Sequence, residues 1–279
     1  MADVPSIVKL RARISQGWAD RDRVSAADAA DVWRQVRQSV GLMPTTPSLL
    51  GDGQISKTNK NKVRTFTLSL SQHATSGVVN TCPWAVPDCV ATCVAQNGNG
   101  AYDSVKLGRK ARTVLLVERP DVFWNLLVAE LDRLARRADR DGVPVAVRMN
   151  TYSDVPWSTW VPELFDMFPS VTFYDYTKNV RAVPLANYHL TYSVTGRDGD
   201  GRLFDMLEDG RNVTIVTTQR KGDSVPITWN GFTVVDGDAT DYRPDDGVGV
   251  VVHLHAKGRA RKLDAGPFVR TLDGFRFDF

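Results

Sequence analysis

No run in this chain of 279 residues comes near the roughly eighteen consecutive apolar residues that a membrane-spanning helix needs. The N-terminal stretch MADVPSIVKLRARISQGWADRDR lacks the apolar core of a secretory signal. An excess of one charge is missing too. Lys and Arg number 35 against 32 Asp and Glu, a formal net charge of +3, so bulk electrostatics does not demand a nucleic-acid partner. Cysteine is scarce, and the odd count of 3 rules out a complete disulfide framework. No internal repeat recurs at a fixed period. Together these absences point to a soluble, cytoplasmic protein in a reducing compartment, where free thiolates persist. They leave no place for a membrane partner and say nothing of oligomeric state.

What the chain has is 42% hydrophobic residues, enough for a full core, and an unusual placement of its few thiols. Cys82, Cys89 and Cys93 all fall in TCPWAVPDCVATCVA (81–95), spaced C-x6-C-x3-C. They follow the strand-like run 63–70 and sit among loop formers, with Pro83 and Pro87 between the first two. Three thiolates on one loop can hold three irons of a [4Fe-4S] cube and leave the fourth iron open. They can equally supply three ligands to zinc, with a histidine or water as the fourth. Buried free cysteines are the plain alternative.

Around this loop the pattern alternates. Residues 1–45 read as a helical segment packed on the core, with Ser25 as the N-cap of a second helix and Asp28 three residues on. Residues 46–279 read as one α/β domain. Lys57, Lys60 and Lys62 fall in a polar loop. Strands are expected at 63–70, 143–149, 171–176, 189–195, 212–218, 229–235 and 248–255. Helices are expected at 101–117, from an Asp121 cap to Arg140, at 160–168 and at 202–208. Strand followed by helix argues a mostly parallel sheet, open or closed into a partial barrel.

In such folds chemistry collects at the carboxyl ends of the strands, and here seven consecutive strand ends are polar. The first runs into the cysteine loop, and the other six carry Asn150, Thr151, Tyr152, Ser153 and Asp154; Asp175, Tyr176, Thr177 and Lys178; Tyr192 and Ser193; Thr217 and Thr218; Asp236 and Asp238; and His253, His255 and Lys257. Asp175 lies between two tyrosines inside a strand, where a carboxylate is costly unless paired or used; Lys178 is its candidate partner. Asp154 can cap the following helix, Asp236 and Asp238 can form a turn around Gly237, and His253 and His255 share one strand face. His189 and His73 have no supporting context. Arg133, Arg136, Arg137 and Arg140 form a basic helix face, solvated or phosphate-facing.

The segments TCPWAVPDCVATCVA (81–95), RMNTYSDVPW (148–157), VTFYDYTK (171–178), HLTYSV (189–194), VVDGDATDYR (234–243) and HAKGRAR (255–261) resemble, in the same order, those of phage proteins carrying the gene-product-88 domain. The resemblance spans roughly residues 60–262. It implies a (β/α) partial barrel of radical-SAM type with an iron–sulfur cluster after the first strand. It also implies a protein of the host cytoplasm. On that reading the open iron is chelated by S-adenosylmethionine, an electron donor drives its cleavage, and the resulting radical abstracts hydrogen from a substrate such as a nucleotide or DNA base. Asn150, Ser153, Asp154 and Thr217 are expected to bind the cofactor. Asp175, Tyr176, Lys178, Tyr192, Asp236, Asp238, His255 and Lys257 are expected to serve the substrate or catalysis. Two alternatives stand beside it. One is a zinc-site barrel that exchanges or modifies a nucleobase, with Asp175 or Asp236 as nucleophile or base. The other is a metal-braced nucleic-acid-binding or regulatory protein.

Overall fold

The computed structural model describes residues 6–52, 63–264 and 266–277; Lys57, Lys60 and Lys62 lie outside them. Alternating apolar residues give the strands β1 (Leu50–Asp52), β2 (Arg64–Leu68), β3 (Val145–Arg148), β4 (Val171–Thr177), β5 (Tyr188–Ser193), β6 (Asn212–Thr217), β7 (Thr228–Trp229), β8 (Phe232–Asp236), β9 (Val251–His255) and β10 (Phe275–Arg276). Among the described residues the helices are α1 (Arg11–Asp20), α2 (Ala26–Ser39), α3 (Pro87–Ala91), α4 (Asp103–Glu118), α5 (Pro120–Asp141), α6 (Trp157–Trp160), α7 (Glu163–Met167) and α8 (Asp200–Glu208).

All strands join one sheet in the order β1-β2-β3-β4-β5-β6-β9-β8-β7-β10. From β2 through β9 to β8 every pairing is parallel. The outer pairings, β1 on β2, β7 on β8 and β10 on β7, are antiparallel. The mostly parallel α/β sheet expected from the sequence is therefore present. The closed or radical-SAM type of barrel is not established, because β1 and β10 remain as separate edges. The chain order also reverses near one end: β9 inserts between β6 and β8, a choice of neighbour that no local pattern encodes. The parallel connection 178–187 between β4 and β5 carries no α-helix, nor does 237–250 between β8 and β9. Asn187 anchors the first instead, donating from Nδ2 to the carbonyls of Phe165, Phe168 and Val171.

Alternation gives the sheet two faces. Val145, Val147, Val171, Phe173 and Tyr188 pack on one face with residues of α4 and α5, and Tyr192, Val213 and Ile215 pack there with residues of α8. Ile14, Trp18, Ala29 and Trp33 of α1 and α2 belong to the same buried cluster as the first group. Trp124 of α5 packs edge-on against Trp18 at 5.4 Å and Trp157 at 5.5 Å. Its indole donates to the Ile14 carbonyl at 3.1 Å.

Helix ends follow local chemistry. Ser25 caps α2, accepting from the Asp28 amide. Asp121 does not cap α5, contrary to expectation. Pro120 takes the first helical position, where its missing N–H costs nothing, so the helix starts two residues earlier. Asp121 sits in the first turn and pairs with Arg119 at 2.8 Å. Gly142, at φ 62°, ends α5 in the left-handed conformation that favours glycine.

Candidate active site at the cysteine loop

β2 ends at Leu68, and its continuation is tied to the loop after β3. The Leu68 carbonyl accepts from both the amide and the hydroxyl of Thr151. Thr81, directly before the first cysteine, is buried; it donates from its hydroxyl to the Ser71 carbonyl and accepts from the Asp154 amide at 2.9 Å. Cys82 is thereby fixed between two strand ends. Its sulfur accepts from the His73 amide at 3.2 Å and reaches the Tyr152 carbonyl at 3.4 Å. His73 adopts φ 46°, a left-handed conformation uncommon for a residue with a side chain. Its contribution is a backbone N–H, which sequence alone gave no reason to expect. Cys89 lies in the single turn of α3, started by Pro87, and Cys93 follows two residues after it.

All three thiols line one cavity of about 280 Å³, at the small end of ligand pockets. Asn150, Ser153, Asp154, Tyr176, Lys178, His255 and Lys257 also form its wall, as the sequence led us to expect. Asp175, Thr217, Tyr192, Asp236 and Asp238 are not in that wall; the first four stand on the other side of their strands, and Asp238 lies in the turn after β8. Asp175 shares a face with Phe173 and is fully buried; its carboxylate accepts from the Asn150 amide at 2.6 Å and the Tyr188 hydroxyl at 2.7 Å. Thr217 bonds to His253 Nε2 at 2.7 Å, and the Tyr192 hydroxyl donates to Asp198 at 2.8 Å. Asp238 stands behind the wall. It accepts from His255 Nδ1 at 2.9 Å and from the Lys257 ammonium, while His255 Nε2 is buried without a partner. The expected Asp175–Lys178 pair does not form. Lys178 gives its ammonium protons to Ser193 O, Ser193 Oγ and Val194 O at 2.8–3.1 Å.

Asp154 is the carboxylate of the cavity wall. It accepts from Thr177 Oγ1 at 2.7 Å and from the Lys178 amide at 2.8 Å, and burial pushes it up to about 6 against those bonds. Asn150 shapes the loop: its Oδ1 accepts from Ser153 Oγ, the Val155 amide and Trp157 Nε1, and its Nδ2 donates to the Val155 carbonyl. Burial raises all three thiols above their ordinary value, Cys82 to about 12. Proton-bearing thiols are thus the stable form unless a cation replaces the proton.

Cations already stand close by. Arg109 of α4 is buried; it donates to Gly100 O at 2.9 Å and lies 5.1 Å over the Tyr152 ring, and its Nε and Nη1 have no partner. It attracts Cys93, as Lys178 attracts Cys89. Among the described residues, the His, Cys, Asp and Glu group with every ligand atom within 4.8 Å of the others is Asp236, Asp238 and His255.

Sequence reasoning missed Arg109 and Arg148. Arg148 ends the apolar run VAV and lies in the cavity wall; a lone arginine closing such a run is the signal that could have found it. Three of the four arginines of the α5 row pair with aspartates: Arg136 with Asp132, and Arg137 and Arg140 with Asp141. None of the described helices is long and apolar enough to cross a membrane.

No curated protein and no solved structure matches the chain. The family model described as Gene product 88 matches residues 48–270, which include the cysteine loop and every strand that borders the cavity. With most of its length matched, the chain belongs to the gene product 88 family of phage proteins.

Proposed function

We propose that the protein is an iron–sulfur enzyme of radical-SAM type, with Cys82, Cys89 and Cys93 holding a [4Fe-4S] cluster through three of its irons. S-adenosylmethionine and a substrate would share the cavity beneath. The observation that carries this reading is that the chain's only three thiols, delivered by one loop at the carboxyl edge of parallel strands, border one ligand-sized cavity. Bound there, such a cluster supplies the electron, drawn from an external donor, that cleaves the sulfonium of S-adenosylmethionine.

The residues present suit the group. Three thiols on one loop match the three irons that such a cube presents to the protein. The unfilled donors of buried Arg109 beside Cys93 suit an anionic thiolate set, because an unpaired buried guanidinium is otherwise costly. The His73 amide on the Cys82 sulfur would stabilise the thiolate. Asp154 and Lys178, joined through the Lys178 amide, set the wall opposite Cys89. Asn150 holds the loop that carries Ser153 and Asp154, and His255, oriented by Asp238, brings an imidazole to the wall. These groups bind and orient ligands, while the apolar side chains of Val216, Leu254 and Phe268 keep water out.

The test is metal and sulfide content after anaerobic purification, with a visible-range spectrum. We expect a brown protein with about four irons and four sulfides per chain, and loss of colour in alanine variants of each cysteine. Stoichiometric zinc without iron would replace this reading with the zinc-site enzyme.

A further inference from the structure

We propose that the cavity contains an oxyanion site, in which Arg148 takes the carboxylate or phosphate of a small substrate. The inference rests on the reading above only in using the same cavity as the ligand site; it does not need the cluster.

Three cations stand in the cavity wall: Arg148, Lys178 and Lys257. Lys178 has three acceptors within the chain, and Lys257 has Asp238. Arg148 differs. Its guanidinium lies 5.0 Å over the Tyr176 ring, its Nε is buried without a partner, and it donates no hydrogen bond among the described residues. Asp175 and Asp241 attract it without bonding to it, and Asp175 is already engaged by Asn150 and Tyr188. A guanidinium offers five donors in a planar fork suited to oxyanions. Stacked on a tyrosine, this one is held in place with the fork unfilled. Thr214, on β6 and in the same wall, adds a second orphan: its Oγ1 is buried with no partner. A cation and a hydroxyl left unsatisfied in one cavity are complementary to an oxyanion.

The rest of the wall sets the size and character of the ligand. The cavity holds about 280 Å³ and is bordered by Val216, Leu254 and Phe268. The matching class is a small organic acid or phosphate ester with an apolar body, rather than a polymer.

The test is titration of the full chain with inorganic phosphate and, separately, with acetate, followed through the Arg148 Nε–H resonance, assigned by its loss in Arg148→Met. We expect a saturable shift with at least one anion. The Arg148→Met variant should bind that anion at least tenfold more weakly by equilibrium dialysis, and Thr214→Val should bind it several-fold more weakly. Lys221→Ala, in the adjoining 540 Å³ cleft with Arg220 and Arg261, should bind as wild type. The anion with the greater affinity identifies phosphate or carboxylate as the group recognised. Urea unfolding checks that each variant is folded; if Arg148→Met is not, the Thr214→Val affinity and the wild-type resonance decide. No shift with either anion, or equal affinity in wild type and the folded variants, overturns the proposal. Anion binding by Cys82→Ala should persist whether or not the wild type carries iron, which separates failure of this site from failure of the cluster reading.

Discussion

The two faces of the sheet are made by the same strands and follow opposite rules. On β4, Phe173 and Asp175 point toward the helices, while Tyr174 and Tyr176 take the other side. On β3, Val145 and Val147 face the helices and Arg148 faces the cavity. Behind the sheet, the Asp175 carboxylate has two donors at 2.6 and 2.7 Å. In front of it, Arg148 Nε and Thr214 Oγ1 lack partners. On the proposed reading, the satisfied Asp175 carboxylate serves the fold, while the unfilled Arg148 guanidinium serves a ligand.

The contrast breaks most visibly through packing. Phe173 is fully buried, edge-on to Phe165 at 4.9 Å. Phe173→Ala should cost about 3–5 kcal/mol in urea unfolding. Tyr176→Phe, one pleat step from Arg148 on the cavity face, should change stability by about 0.5 kcal/mol or less. Equal losses in the two variants would erase the distinction between the faces.

Next in size is the support of Asp175. Tyr188→Phe removes one of its two donors and leaves a buried carboxylate with a single hydrogen bond, which should cost about 1–3 kcal/mol. Metal content should not change, because neither residue lines the cavity. Loss of metal together with an intact fold would move Asp175 into the site after all.

The same carboxyl gives a pH signature. Burial pushes Asp175 up to about 7, against the pull of the Tyr188 and Asn150 hydrogen bonds and of Arg148. An unfolded aspartate titrates near about 3.9. Between roughly pH 4 and 7 the folded chain therefore binds more protons than the unfolded one, and stability falls as the pH rises through that window. Asp154, raised to about 6, adds to the slope with the same sign. Asp175→Asn should flatten the fall in Tm between pH 5 and pH 8, leaving the Asp154 share. An unchanged slope would mean that Asp175 is charged throughout.

How much of this was legible in the sequence depended on the range of the interaction involved. Period-two runs located the parallel strands to within a few residues, because alternation is local. Ser25 was legible as a cap for the same reason. Asp121 was misread because Pro120 outranks it as a helix starter. The insertion of β9 between β6 and β8 was invisible, since strand neighbours are chosen by crossovers and not by pattern. The convergence of the three cysteines with Asp154 and Lys178 could be anticipated from parallel strand ends. Asp175 could not be placed, since a carboxylate between two tyrosines reads alike on either face until the helices show which face they cover. Arg109 was hidden because its partners arrive from the loop at 95–100.

The smallest effect belongs to a surface outside both faces, the arginine row of α5. Arg136 reaches Asp132 at 2.9 Å one helical turn away, with both side chains largely in solvent. Such pairs contribute about 0.3–0.5 kcal/mol and are screened by salt. Arg137 and Arg140 share Asp141 with Arg64 of β2, so these arginines already have a carboxylate partner within the chain. A phosphate-binding face would leave its arginines unpaired, as Arg148 is in the cavity. Arg136→Ala should therefore lower stability by about 0.5 kcal/mol or less, and less still at high salt. It should leave anion affinity at Arg148 untouched, because the site and the row lie on different elements. A marked, salt-sensitive loss of binding to a DNA or RNA oligonucleotide in Arg136→Ala would instead make α5 a nucleic-acid surface and the cavity one site of two.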